Sequence, residues 1–118
     1  MSDSRPIAEA YLAAWNETDS KCRRALLAAQ WSADARYVDP LMSGTGMEGI
    51  AAMIEGARAH VPGHRFHLSG APDGHNGFVR FSWSLVSGEG RPVAGGTDIV
   101  RLDDSGRIVE VTGFLDPL

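Results

Sequence analysis

The sequence predicts an α+β domain in which helices pack on one face of a mainly antiparallel sheet. Three observations lead to this class. Apolar residues recur at helical spacing in three stretches of the first half of the chain, and they alternate with polar residues along four later stretches. The connections between these later stretches are short turns, which join antiparallel strands. The length of 118 residues suggests a single domain over 1–118.

The first helix is predicted from about Pro6 to Asn16. Ile7, Tyr11 and Trp15 follow one another at intervals of four residues and therefore share one face. Proline suits the first turn of a helix, because its missing N–H would have no partner there.

The second helix follows Thr18-Asp19-Ser20, which offers N-cap residues, and should end near Gln30. Its predicted buried face includes Cys22, which we interpret as a packing residue. As the only cysteine of the chain, Cys22 allows no internal disulfide. The rest of this face is apolar, and the basic residues at positions 21, 23 and 24 are expected to be solvated.

A strand is predicted at 35–39, where alternation puts Tyr37 and Asp39 on the same side. Pro40 should end it, because proline cannot donate a ladder hydrogen bond. A loop over 41–46 leads to a third helix, where Thr45 and Glu48 have the spacing of a capping box. The apolar stripe of this helix consists of Ile50, Met53, Ile54, Ala57 and Val61, and Pro62-Gly63 ends it.

Four strands are predicted to complete the chain, at 64–72, 78–87, 93–102 and 107–115. Residues 73–77 form a predicted hairpin connection, with Asn76-Gly77 as its strongest signal. Gly95-Gly96 lies inside a strand and predicts a bulge or bend there. A strongly curved sheet with helices across its hollow would form a cone with a cavity suited to a small ligand.

Composition and charge exclude several classes of function. A net charge of −4 argues against a nucleic-acid-binding surface. No apolar run approaches the roughly 18 residues of a membrane helix, and the first residues lack a signal-peptide pattern, so a cytoplasmic protein is expected. The four histidines are scattered and no nucleotide-binding loop is present, so neither a metal nor another cofactor is expected.

The segments Tyr37-Val38-Asp39-Pro40 and Gly44-x-Gly46-x-Glu48-Gly49-Ile50, in this order of elements, resemble the nuclear transport factor 2-like (NTF2-like) superfamily. Within it the chain is most similar to the SnoaL-like branch, which includes polyketide cyclases, and to the related ketosteroid isomerases. The resemblance extends from about residue 6 to 116 and implies a cone-shaped fold. That fold serves isomerases, cyclases and noncatalytic binders, so it does not determine the activity.

The resemblance also implies roles for three residues. Asp39-Pro40 matches the general-base aspartate of ketosteroid isomerases, and Tyr11-Leu12-Ala13-Ala14 resembles the context of their oxyanion-binding tyrosine. Asp98 falls where they carry a second, protonated aspartate. In those enzymes one carboxyl group acts as a base while the other stays neutral, which is a known example of pKa tuning. SnoaL-type cyclases depend mainly on one acid/base aspartate in the sheet, and on that interpretation Asp98 is the more important residue.

The residues themselves leave alternatives open. Asp39 could instead cap the following loop through backbone N–H groups. Asp98, on an apolar strand face, could form a structural salt bridge with Arg80 or another arginine, and Tyr11 could be a core residue. Trp83 lies on an apolar strand face that could line the cavity or pack against a partner subunit. The other candidate cavity walls are Trp15, Tyr37, Met42, Met53, Ile54 and Phe114.

Two functional hypotheses follow. The first is a cofactor-independent acid/base enzyme, of the isomerase or cyclase type, acting on a small hydrophobic carbonyl compound. The second is a noncatalytic module of the same fold that binds a small apolar ligand or forms a homodimer through a face of the sheet.

Overall fold

The computed structural model describes residues 4–117 and has the predicted α+β architecture, with three helices packed on a curved sheet. Residues 1–3, where the segment without a signal-peptide pattern starts, lie outside this range. The elements are α1 Ser4–Asn16, α2 Ser20–Gln30, β1 Trp31–Val38, β2 Ser43–Thr45, α3 Gly46–His60, β3 Arg65–His75, β4 Phe78–Val86, β5 Pro92–Leu102 and β6 Ile108–Leu115.

The six strands form one sheet in the order β2-β1-β6-β5-β4-β3. The predicted meander of β3 to β6 is confirmed, since each of its neighbouring pairs is antiparallel. The first strand joins the sheet beside the last one, and β1 and β6 run parallel. This pairing places the end of β1, where Asp39 follows, next to the middle of the sheet.

Three strands differ from the prediction by more than one residue at a boundary. The first, expected at 35–39, already begins at Trp31. Residues 43–45, expected in a loop, form β2 and pair with the end of β1. The strand expected to end at residue 72 continues to His75, with an irregular register between Ser69 and Asp73. The hairpin turn therefore consists of Asn76-Gly77 alone, with φ angles of 51° and 83°, as a two-residue turn of the type I′ class requires.

The bulge expected at Gly95-Gly96 lies elsewhere. Both glycines pair in register with β4, and the irregularity falls between Leu85 and Val86. Gly96 has a different reason to lack a side chain, because a Cβ there would lie 2.7 Å from the indole ring of Trp83. The glycine thus makes room for an aromatic side chain on the inner face of the sheet.

The buried face of α2 was predicted incorrectly. Cys22 is exposed, and its thiol donates to Asp19 at 3.1 Å. Arg23 and Leu27 are the buried residues of this helix. The aliphatic stem of Arg23 packs like an apolar side chain, and its guanidinium donates to the carbonyl of Glu17, just after the end of α1.

The ends of the helices follow the sequence only in part. Asp19 is the predicted N-cap of α2 and accepts a hydrogen bond from the backbone N–H of Lys21. Thr45 precedes α3 but its side chain makes no capping bond, so the predicted capping box is not formed. The reason is that Thr45 belongs to β2, where it pairs with Arg36.

The core lies between the helices and the concave face of the sheet. Leu27, Ile50 and Ile54 are fully or almost fully buried on the helical side, and Val100 and Val111 on the sheet side. No helix among residues 4–117 is long and apolar enough to cross a membrane.

Candidate active site

A cavity of about 770 Å³ opens between α1, α3 and the concave face of the sheet. Its volume lies in the range of small-molecule sites. All three residues assigned a chemical role from the sequence, Tyr11, Asp39 and Asp98, contribute to its wall. Five of the candidate wall residues also line it: Trp15, Tyr37, Met42, Met53 and Trp83.

Asp98 is a buried carboxyl group at the inner end of the cavity. Its side chain points from β5 into the concave face, and the residue is only 4% exposed. Oδ2 accepts a hydrogen bond from the Tyr11 hydroxyl at 2.8 Å, and Oδ1 accepts one from the indole Nε1 of Trp83 at 3.3 Å. Burial raises the pKa of Asp98 to about 6, because two neutral donors offset only part of the loss of water, and the nearby charge of Asp39 adds to the rise.

The predicted alternative for Asp98, a salt bridge with Arg80, is not formed. Successive residues of a strand point to opposite faces, and Arg80 points to the outer face of the sheet. There it pairs with Asp73, across the β3–β4 ladder, at 2.9 Å. Asp98 therefore has no cationic partner among residues 4–117.

Asp39 lies directly after β1 and is half-buried. Its Oδ1 accepts hydrogen bonds from the backbone N–H groups of Leu41 and Met42, at 2.8 and 2.9 Å, as in the loop-capping alternative. Its Oδ2 accepts a hydrogen bond from the hydroxyl of Tyr37 at 2.6 Å. A carboxylate has about four lone-pair positions, so one remains open on Asp39.

The site thus contains two tyrosine–aspartate pairs. Tyr11 is buried, and its pKa is raised well above the usual value, first by burial and then by the charge of Asp98. The pKa of Tyr37 is raised for the same two reasons and further by its hydrogen bond to Asp39. Both hydroxyls therefore keep their protons and act as hydrogen-bond donors to the carboxyl groups.

Gly113 separates the two pairs, and it was not recognised from the sequence. A Cβ at this position would lie 2.8 Å from Oδ1 of Asp98, 3.2 Å from Cβ of Asp39 and 3.4 Å from the Tyr37 hydroxyl. The parallel pairing of β1 and β6 creates this proximity, because it places Gly113 beside the end of β1. Only the absence of a side chain lets both acids occupy the same end of the cavity.

Aromatic rings form a continuous wall between the two acids. The ring of Tyr37 contacts Trp15 at a centroid distance of 5.8 Å, Trp15 contacts Phe66 at 5.4 Å, and Phe66 contacts Trp83 at 5.3 Å. The indole N–H of Trp15 has no hydrogen-bond partner among the described residues, so the wall carries one open donor. Phe66 was missed because alternation alone could not tell which face of β3 points inward.

Two of the predicted wall residues lie outside the cavity. Ile54 is completely buried in the core between the helices. Phe114 is 55% exposed, because it points to the outer face of β6 while its neighbour Gly113 points inward. The apolar face of β4, by contrast, does line the cavity, through Trp83 and Leu85.

No group of three or more potential metal ligands is found within residues 4–117. The ionisable groups of the cavity wall are the two tyrosines, the two aspartates and His60, which is exposed at the end of α3. This arrangement can accept, hold and return a proton, and its apolar walls can bind a hydrophobic molecule.

Comparison with known proteins agrees with this architecture. The crystal structure of a proposed isomerase of the SnoaL-like family from Agrobacterium tumefaciens has a TM-score of 0.96 and 57% identity, and the match covers 99% of this chain and 100% of that one. A proposed SnoaL-like polyketide cyclase from Jannaschia sp. CCS1 has a TM-score of 0.75 at 16% identity, over 98% and 90% of the two chains. An NTF2-like protein of unknown function from Exiguobacterium sp. 255-15 has a TM-score of 0.74 at 19% identity, over 95% and 99%.

The last two structures are too distant in sequence to show more than the fold, which is the NTF2-like fold. Residues 8–111 also match the family model of the SnoaL-like domain. The chain therefore belongs to the SnoaL-like family, as the resemblance of its motifs indicated. No curated protein sequence matches it significantly.

Proposed function

We propose that the protein is a cofactor-independent acid/base enzyme, of the isomerase or cyclase type, that acts on a small hydrophobic carbonyl compound in the cone cavity. The observation that carries the proposal is Asp98, a carboxyl group at the inner end of an apolar cavity with two neutral donors and no cation beside it. Its pKa of about 6 suits a group that takes up and returns a proton near neutral pH.

The geometry favours Asp98 over Asp39 as the proton carrier. Three of about four lone pairs on Asp39 are already occupied, two of them by the backbone of its own loop. Asp98 accepts only two hydrogen bonds. In the proposed step Asp98 removes a proton from the carbon next to the substrate carbonyl, and the C–H electron pair forms the enolate. The same proton then returns to another carbon in an isomerase. In a cyclase the enolate carbon attacks a second carbonyl, whose C=O electron pair moves to oxygen, and the resulting alkoxide takes the proton from Asp98.

The test uses a bicyclic β,γ-unsaturated ketone, an octalone, whose conjugated isomer absorbs in the ultraviolet. We expect kcat/KM to rise as the pH increases through about 6, since Asp98 must be ionised to act as a base. Replacing Asp98 by Asn should lower kcat about 10²–10⁴-fold. Asp73→Asn, which changes an exposed carboxyl on the outer face, is the matched control and should leave the rate unchanged.

The opposite pH profile would reverse the roles of the two acids. In the ketosteroid isomerase pattern, Asp39 is the base and a neutral Asp98 donates to the enolate oxygen together with Tyr11. The rate would then fall as the pH increases through about 6, and Tyr11→Phe would remove most of it. Unchanged activity in both Asp39→Asn and Asp98→Asn would refute acid/base catalysis at this site.

The second candidate function is a noncatalytic binding or dimerisation module. Phe114 favours a homodimer, since this large apolar side chain is exposed on the outer face of the sheet. Phe114→Glu should convert the dimer to a monomer, as measured by size-exclusion chromatography with light scattering. A native chain that remains monomeric at high concentration would contradict the dimer.

A further inference from the structure

Most hydrogen-bond donors at the inner end of the cavity are already used within the protein, whereas the indole N–H of Trp15 has no partner among the described residues. The hydroxyl of Tyr11 and the indole N–H of Trp83 donate to Asp98, and the hydroxyl of Tyr37 donates to Asp39. The backbone N–H groups that reach this region also donate to Asp39. What remains open to a ligand is mainly acceptor capacity, with one lone pair on Asp39 and two on Asp98, beside the single indole N–H of Trp15.

The charges of the cavity wall have one sign. The lining contains two carboxyl groups and, among the described residues, neither lysine nor arginine. The remaining ionisable group besides the tyrosines, His60, is exposed at the end of α3. A ligand anion would lose its water without gaining a charged partner, which is strongly unfavourable in an apolar site.

The aromatic wall adds a feature that favours a cation. The rings of Tyr37, Trp15, Phe66 and Trp83 all line the cavity. They contact one another in sequence, tilted or edge to face, from the partner of Asp39 to a partner of Asp98. A cation over the face of a tryptophan or tyrosine ring is attracted by the ring quadrupole, more strongly where water is excluded.

We propose that the substrate carries a protonated amine, which donates a hydrogen bond to the open lone pair of Asp39 while the apolar part of the molecule lies against the aromatic wall. The inference rests on the proposed function in that it uses the same cavity and narrows the carbonyl substrate to an aminoketone. It also divides the work between the acids. Asp39, which the loop holds in place, binds the ammonium group, and Asp98 remains free to transfer the proton.

The test compares three probes with one bicyclic skeleton: 2-aminotetralin, the corresponding alcohol, and tetralin-2-carboxylate. Binding at pH 7 is measured by calorimetry and by the fluorescence of the tryptophans in the wall. We expect the ammonium probe to bind at least about tenfold more tightly than the alcohol, since it gains a charge-assisted hydrogen bond. The carboxylate should show no binding.

Asp39→Asn is the informative variant, because asparagine keeps an oxygen for the N–H groups of Leu41 and Met42 but loses the charge. It should weaken binding of the ammonium probe about tenfold and change binding of the alcohol less than about threefold. Asp73→Asn is the control and should change neither. Equal affinities for the three probes, an equal loss for all of them in Asp39→Asn, or no binding of any probe would each overturn the inference.

The outcomes separate this inference from the proposed function. Preferential amine binding without turnover of any ketone would support a binding site for amines and refute the proposed enzyme activity. Turnover of the octalone without preferential binding of the amine would support the proposed enzyme activity and refute the inference that the substrate carries an ammonium group.

Discussion

Gly113→Ala is the substitution that most directly tests how the two acids are held together. The new Cβ would lie 2.8 Å from Oδ1 of Asp98, about 0.6 Å inside the 3.4 Å at which ordinary contact begins. The carboxyl group cannot move away freely, because Tyr11 and Trp83 hold its two oxygens. Movement towards Asp39 is also restricted, since the Cβ of Asp39 would be only 3.2 Å from the new atom.

The expected size of the effect follows from two opposing terms. Overpacking in a well-packed site destabilises by about 1–3 kcal/mol. Alanine also restricts the unfolded chain, which stabilises by about 0.4–1 kcal/mol. The net loss should be about 1–2 kcal/mol in the free energy of unfolding, or roughly 4–8 °C in Tm for a domain of this size.

The assay is thermal and urea unfolding followed by circular dichroism, with Gly88→Ala as the matched control. A Cβ at Gly88 would make only an ordinary contact, 3.7 Å from the carbonyl of Gly63, so this variant should be as stable as the native chain or slightly more stable. In an Asp98→Ala background the cost of Gly113→Ala should fall below about 0.5 kcal/mol, because the closest contact is gone. An equal cost in both backgrounds, or no cost at all, would refute the steric argument.

Three further predictions concern stability. Because the pKa of Asp98 is raised from 3.8 to about 6 in the folded protein, the folded state binds more protons between these values. The contribution of Asp98 to the free energy of unfolding should therefore fall by about 2 kcal/mol as the pH rises from 4 to 7. Urea unfolding of Asp98→Asn should lack this loss, and an equal loss in the variant would contradict it. Gly77→Ala should destabilise by about 1–2 kcal/mol, measured the same way, because φ is +83° in the hairpin turn, and a neutral effect would argue against this turn. Arg80→Ala should change the unfolding free energy by less than about 1 kcal/mol, since Arg80 and Asp73 are 65% and 64% exposed, and a larger loss would mean that the pair is not a surface pair.

The positions of the two acids could be predicted from local rules. Alternation along β5 placed Asp98 on the buried face, and the proline after Asp39 placed that residue at a strand end. The loop-capping bonds of Asp39 were an open alternative in the sequence, and they are present. The sequence could not decide which of the two aspartates is better suited to carry a proton. That depends on how many lone pairs of each carboxyl group remain open, which only the hydrogen bonds in the structure show.

The features that were missed depend on contacts between distant segments. Gly113 has no side-chain chemistry to attract attention, and its importance arises only when β6 lies beside β1. Arg23 was assigned to the surface because periodicity counts an arginine as polar, whereas the residue is only 4% exposed. Phe114 and Ile54 lie on elements that border the cavity, but neither residue lines it. Phe114 points to the outer face of β6, and Ile54 is completely buried in the core.

The placement of β1 beside β6 has a consequence for how the protein is made on the ribosome. The edge of β1 that faces the centre of the sheet stays without a partner until the last strand has emerged, because its parallel neighbour starts only at Ile108. Contacts this distant along the chain slow folding and leave an unpaired strand edge exposed in the meantime. The two acids can therefore come together only after β6 has been synthesised, and nascent chains that stall before β6 should be clients for chaperones.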